Sequence, residues 1–206
     1  LELFGIDTRM QQETSVFKDI NVKRKFFSKP AEEKYVFLKE LQGELQVFYL
    51  ELRARLDNGQ NLQLNQLISA VRSTMYAVKC IKDIGSNISN LSNASKDIKF
   101  NFFISHKKET EEYYLLLHGY MQQKEQADLK ALRAVYDIVL TNYSSALNSF
   151  YKEATNARVE DLDITMAINF NRELFTSNKA MLMAVKDFLL NEQDAKEFNE
   201  IPGYMT

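Results

Sequence analysis

The side chains most able to do chemistry in this chain are few, and their spacing argues against most reactions. His106 and His118 are its only histidines, and neither stands in a Glu-x-x-His or His-Glu-x-x-His frame. Those spacings bring two ligands to one ion from adjacent turns of a helix. Both histidines are therefore expected in solvent-facing or capping positions. Cys80 is the only cysteine, which rules out an intrachain disulfide and a cysteine zinc cluster. With apolar neighbours on a helix it is expected to pack as a small, inert hydrophobe. The six glycines are scattered, so no loop of backbone amides is built to cradle a phosphate, and no nucleophile elbow occurs. No catalytic residue, metal ligand or cofactor is assigned on these grounds.

The sharper signal is a polar face that occurs twice. Lys79, Lys82, Asp83, Ser86 and Asn90 recur at spacings of three and four, and Asn169, Arg172, Glu173 and Thr176 do the same ninety positions on. Residues so spaced share one side of a helix. The segments around them match in type over ten positions, from Ala77 to Ser86 and from Ala167 to Thr176. Two copies of one structural unit explain the match. Pseudo-symmetry then predicts two reciprocal ion pairs, Asp83 with Arg172 and Glu173 with Lys82. A site for an anion or a partner, lined by the cations of both copies, is the functional alternative to such a seam, and simple surface exposure is the third reading.

The elements that must carry these faces are helices. Two prolines and no tryptophan in 206 residues, with 45% apolar and 26% charged content, leave few breakers. The 3.6-residue period predicts six helices, over about 8–25, 31–56, 61–95, 98–122, 126–155 and 159–191. The second is strongly striped through Leu38, Leu41, Leu45, Phe48, Leu52 and Leu56, with Pro30 before its first turn and Asp57-Asn58-Gly59 as its stop. Gly85 interrupts the third at a cost of roughly 1 kcal/mol unless close packing needs it. Short connections make neighbouring helices antiparallel. The fold class expected is all-α: a single domain over 1–206, repeat one about 8–96, repeat two about 97–192, and a tail over 193–206 that from Asn199 on is frayed or leads onward.

Three further stretches carry weaker signals. Lys23-Arg24-Lys25, with Phe26-Phe27 and Lys29, suits either a solvated connector or contact with anionic lipid. Three Asn-x-Ser triplets between Asn87 and Ser95 read as a polar helical face. Tyr113, Tyr114 and Tyr120 suit core packing and an interface equally, which leaves a homodimer open. A net charge of −2 argues against a duplex-coating nucleic-acid partner. No run of eighteen apolar residues exists to span a membrane. The opening Leu1-Glu2-Leu3-Phe4, without an initiating methionine, suggests a segment of something longer.

Two three-helix units with a recurring signature on the third helix of each resemble the PhoU architecture, in which that helix reads Glu-Arg-Ile-Gly-Asp. The corresponding runs here are Lys82-Asp83-Ile84-Gly85-Ser86 and Arg172-Glu173-Leu174-Phe175-Thr176. The wording of Ala70 to Ile84 and of Asn171 to Ala180 is closer still to the PhoU-like cytosolic domain of the bacterial sodium/phosphate cotransporter family. The resemblance implies an elongated PhoU-like bundle of two three-helix repeats, serving as a non-catalytic regulatory or interaction domain. Its implied partner is the transmembrane transporter domain of the same longer polypeptide, with the membrane surface nearby, at the cytoplasmic face of the bacterial inner membrane. PhoU metal clusters use acidic residues where this chain has Lys82, Arg172, Ser86 and Thr176, so metal binding is not carried over. Two other expectations stay open: a small-anion-binding receptor or enzyme with a cavity between the repeats, and a free-standing helical scaffold.

Overall fold

A computed structural model of the chain describes residues 2–6, 26–94, 98–122, 128–156 and 161–201. Among them are seven α-helices and a short 3₁₀ turn at Glu2–Phe4, with no strand. The helices are α1 (Ala31–Arg53), α2 (Asn58–Asp83), α3 (Gly85–Ser92), α4 (Ile98–Gln122), α5 (Leu129–Asn156), α6 (Asp161–Leu189) and α7 (Glu192–Asn199). The protein is all-α. The helix expected over 8–25 lies outside the described residues, as do Lys23, Arg24 and Lys25.

Local chemistry explains where the helices begin and end. Asp57 does more than stop α1, because its carboxylate accepts from Gln60 N at 2.8 Å while Gln60 Oε1 accepts from Asp57 N at 3.3 Å. This reciprocal box satisfies two donors that the first turn of α2 leaves open. The stripe expected over 61–95 is divided at Ile84, which leaves the regular helix for one residue (φ −97°, ψ 10°). Hydrogen bonds continue across the break, from Ile84 N to Cys80 O and from Ile88 N to Ile84 O. A Cβ on Gly85 would meet nothing within 4 Å, so close packing does not require the glycine.

The tail expected after residue 192 begins as a helix that the periodicity did not predict. Asn191 Oδ1 accepts from Asp194 N at 2.9 Å and starts α7, whose Ala195 and Phe198 are buried. An asparagine followed by acidic residues is a helix start, since it caps free amides and complements the positive end of the helix. Phe198 then reaches a core cluster with Tyr136, Leu132 and Leu182, which holds the element in place.

Two apolar clusters make the core. One joins the ends of α4, α5 and α6 with α7; the other gathers Ile84, Ile88, Leu91, Phe102, Phe103, Phe150 and Phe170. Phe4 enters the second, 5.9 Å from the Phe103 ring centroid. Helices α2 and α6 form the most extensive pairing and run antiparallel: Ser69 bonds Asp187, and Ser177 bonds the carbonyl of Ala77. Helix α1 departs from expectation. Its stripe packs mainly on α2, and none of its residues is fully buried.

Candidate functional site

The repeated polar face is present on the helices, but its ends turn outward in different directions. Lys79 and Asp83 pair along α2 at 3.8 Å, one turn apart, and both are exposed. Lys82 bends toward α1, 3.8 Å from Glu32 and 5.1 Å from the Tyr35 ring centroid. Arg172 contacts its neighbour Glu173 at 3.3 Å, and Thr176 Oγ1 donates to Arg172 O at 2.8 Å. Ser86 and Asn90 lie exposed on α3, and Asn169 is half-buried on α6. The reciprocal pairs of Asp83 with Arg172 and Glu173 with Lys82 are therefore corrected: each of these cations has another partner. The reason is the tight seam between α2 and α6, where the small residues Ala77, Cys80 and Ser177 bury against each other and leave charged chains at its margins.

Cys80 is buried as expected. Burial first, and then the neighbouring Glu173 carboxylate, push its thiol up to about 11. Glu173 thus faces the cysteine of α2 across the seam. Such a thiol is a poor nucleophile and a poor ligand at neutral pH.

His106 requires the larger correction. It is buried, 2% exposed, neither solvent-facing nor a cap. Its Nδ1 lies 2.9 Å from Phe102 O and its Nε2 2.9 Å from Asn171 Oδ1, while Asn171 Nδ2 donates to Tyr143 O at 3.0 Å. The amide orientation is set by that last bond, so both ring nitrogens face acceptors. A neutral imidazole carries one N–H and serves one of them; the doubly protonated ring serves both. Glu109, one turn on, has its carboxyl raised above the ordinary value by burial, with His106 and the Ser105 hydroxyl pulling the other way.

Two polar spaces adjoin this histidine. The smaller, about 20 Å³, is lined by His106, Glu109, Asn142 and Asn171, and by Thr110 Oγ1 and Asn178 Oδ1, which have no hydrogen-bond partner. The larger, about 270 Å³, opens between α4 and α5 past Ser105, Ser145, Ser149, Glu109 and Glu153. With its nitrogens 2.9 Å from Phe102 O and from the Asn171 amide that in turn bonds Tyr143 O, His106 is placed to hold α4, α5 and α6 in register. Sequence reasoning missed it because Asn171 is 65 residues away and only the fold brings the two together.

A second buried polar assembly was also missed. Lys186 and Asp187 pair at 3.0 Å between α2 and α7, where Asp187 accepts from Ser69 Oγ and Lys186 donates to Asn199 Oδ1, each at 2.6 Å. The sequence held one signal: a Lys-Asp pair amid Ala184, Val185, Phe188 and Leu189 is charge on an otherwise apolar stretch. Tyr113 and Tyr120 are core residues and Tyr114 packs beside them, so these rings form no exposed interface.

Fold and site together define an all-helical bundle keyed by buried polar contacts. Among the described residues no group of three or more His, Cys, Asp or Glu side chains is arranged to hold a metal ion, and no helix is long and apolar enough to cross a membrane. Compared with protein-family models, curated proteins and solved structures, the chain matches none.

Proposed function

We propose that this chain is a PhoU-like module of two three-helix repeats, acting as the non-catalytic cytoplasmic regulatory or interaction domain of a sodium-dependent phosphate transporter-like membrane protein. Its partner is the transmembrane domain of that protein, at the inner face of a bacterial membrane. The observation that carries the reading is the register of α2 against α6. Ala77 meets Ser177 and Cys80 meets Glu173, so the same antiparallel register brings position 82 level with position 172. Those are the positions that the ninety-residue repeat makes equivalent. Every antiparallel pair brings one such couple level; here it falls within the paired stretch of α2 and α6, where duplicated units packed through their signature helices would put it, and this supports the reading.

The small-anion receptor has less to stand on. The polar cleft beside His106 is lined by two carboxylates and no lysine or arginine, and an anion there meets like charge. The test is reconstitution. The chain, added to vesicles carrying the membrane portion of a bacterial sodium/phosphate cotransporter, is expected to co-sediment with them and to change the rate of sodium-dependent phosphate uptake. Failure to associate, or uptake that ignores the module, sinks the reading.

A further inference from the structure

Helix α1 is apolar on two opposite sides. Leu38, Leu41 and Leu45 face a cleft of about 470 Å³ whose far wall is Met181, Ala184 and Phe188 of α6 and whose floor is α2. Val36, Val47 and Leu50 lie on the outward side, 53%, 59% and 65% exposed. From Leu45 to Val47 is two steps of 100°, which places the second set across the helix axis from the first. An edge helix needs only one apolar side to join its own bundle. Gly43, on the outward line between Val36 and Val47, would meet nothing within 4 Å if given a Cβ, so nothing in its own chain requires a residue that small.

We infer that this face binds a second copy of the chain, with α1 of each copy seated in the α1–α6 cleft of the other. A two-fold contact presents one patch to itself, so the patch must hold both a ridge and the groove that receives it. Here the ridge is the outward line of α1, and the groove is the cleft beside it. The pairing uses both apolar sides of α1: one meets the partner's α1, and the other meets the partner's α6 at Phe188. At the exposures of the α1 side chains, with Leu67 and Phe188, each copy offers roughly 700 Å² of apolar surface. Summed over both sides of α1, as the pairing would bury them, that approaches the ~800 Å² per partner of a stable interface. The cleft lining includes Met75, Met121 and Met181, flexible side chains that adapt to an incoming helix. This inference does not depend on the transporter reading.

Sedimentation equilibrium of the 206-residue chain over about 1–100 μM tests it. The expected result is a species of twice 24.0 kDa. The double variant Val47→Lys/Leu50→Lys alters side chains outside the chain's own core, and is expected to be monomeric at the same concentrations with unchanged far-ultraviolet circular dichroism. A dimer surviving that change overturns the proposal, and so does a wild-type monomer throughout the range. Should the charged variant lose helix, Val47→Cys/Phe188→Cys under mild oxidation still decides. A disulfide-linked dimer supports the seating, and its absence refutes it. Saturable binding of a fluorescent fatty acid to a monomer also overturns the proposal, because the cleft then takes an apolar chain.

Discussion

Lys186 Nζ lies 3.0 Å from Asp187 Oδ1, and both side chains are less than a tenth exposed although the residues are sequence neighbours. Neighbours on a helix point about 100° apart, so both are buried only when the helix is covered on two sides. Helix α6 is covered by α2, which supplies Ser69, and by α7, which supplies Asn199. Taking one charge away leaves the other desolvated and unpaired. Lys186→Met is expected to lower stability by about 3–5 kcal/mol in urea denaturation. Lys186→Met/Asp187→Leu removes both charges and is expected to recover most of that loss. A double variant as unstable as the sum of the two single ones would show that the pair is not coupled.

Burial raises the Glu109 carboxyl above its ordinary value of 4.5, against the opposing pull of His106 and Ser105. The folded chain therefore holds this proton more tightly than the unfolded chain, and ionising the group works against folding. That opposition is absent below pH 4.5, grows as pH rises from 4.5 toward the shifted value, and is complete above it. Glu109→Gln is expected to unfold at higher urea than the parent at pH 7, with the difference closing as pH falls below 4.5. Lower stability of the variant at pH 7 would instead show that the contact of the carboxylate with Ser105 outweighs its burial.

With its thiol pushed up to about 11, Cys80 is thiolate in only about one molecule in a thousand at pH 8. Its side chain is also sealed between α2 and α6. Labelling by a chromogenic disulfide reagent is expected to follow the rate at which the native chain opens, and to be complete within mixing in urea. Fast labelling of the native protein would contradict both the burial and the shift.

Gly85 begins α3 with open space where a Cβ would stand and without a positive φ. Gly85→Ala removes conformational freedom from the unfolded chain without a clash in the folded one. The variant is expected to be more stable by about 0.5–1 kcal/mol, read as a rise in thermal midpoint. A loss of stability would mean that the break at Ile84 needs the glycine's freedom.

Where a feature depends on residues within one helix, the sequence was a good guide. The helix expected over 98–122 is Ile98–Gln122, and the stripes of α5 and α6 face neighbours as their periodicity requires, whereas Leu67 of the α2 stripe stays exposed. Burial of Cys80 followed from its apolar flanks. The tail was misjudged because Asn191 starts a helix so soon after α6 ends, and eight residues hold a helix only if a core receives Phe198.

The sequence by itself determined the helical class, most helix limits and the scarcity of reactive groups, because periodicity, capping and composition act over a few residues. The tertiary structure alone decided which polar groups meet. His106 finds Asn171, Asp187 finds Ser69, and Lys82 turns to Glu32 and away from Glu173. A charged side chain takes whichever partner the packed backbones bring within a few ångströms. The register of α2 on α6 sets that distance, and the register follows from small side chains packing across the seam, a property of neither helix alone.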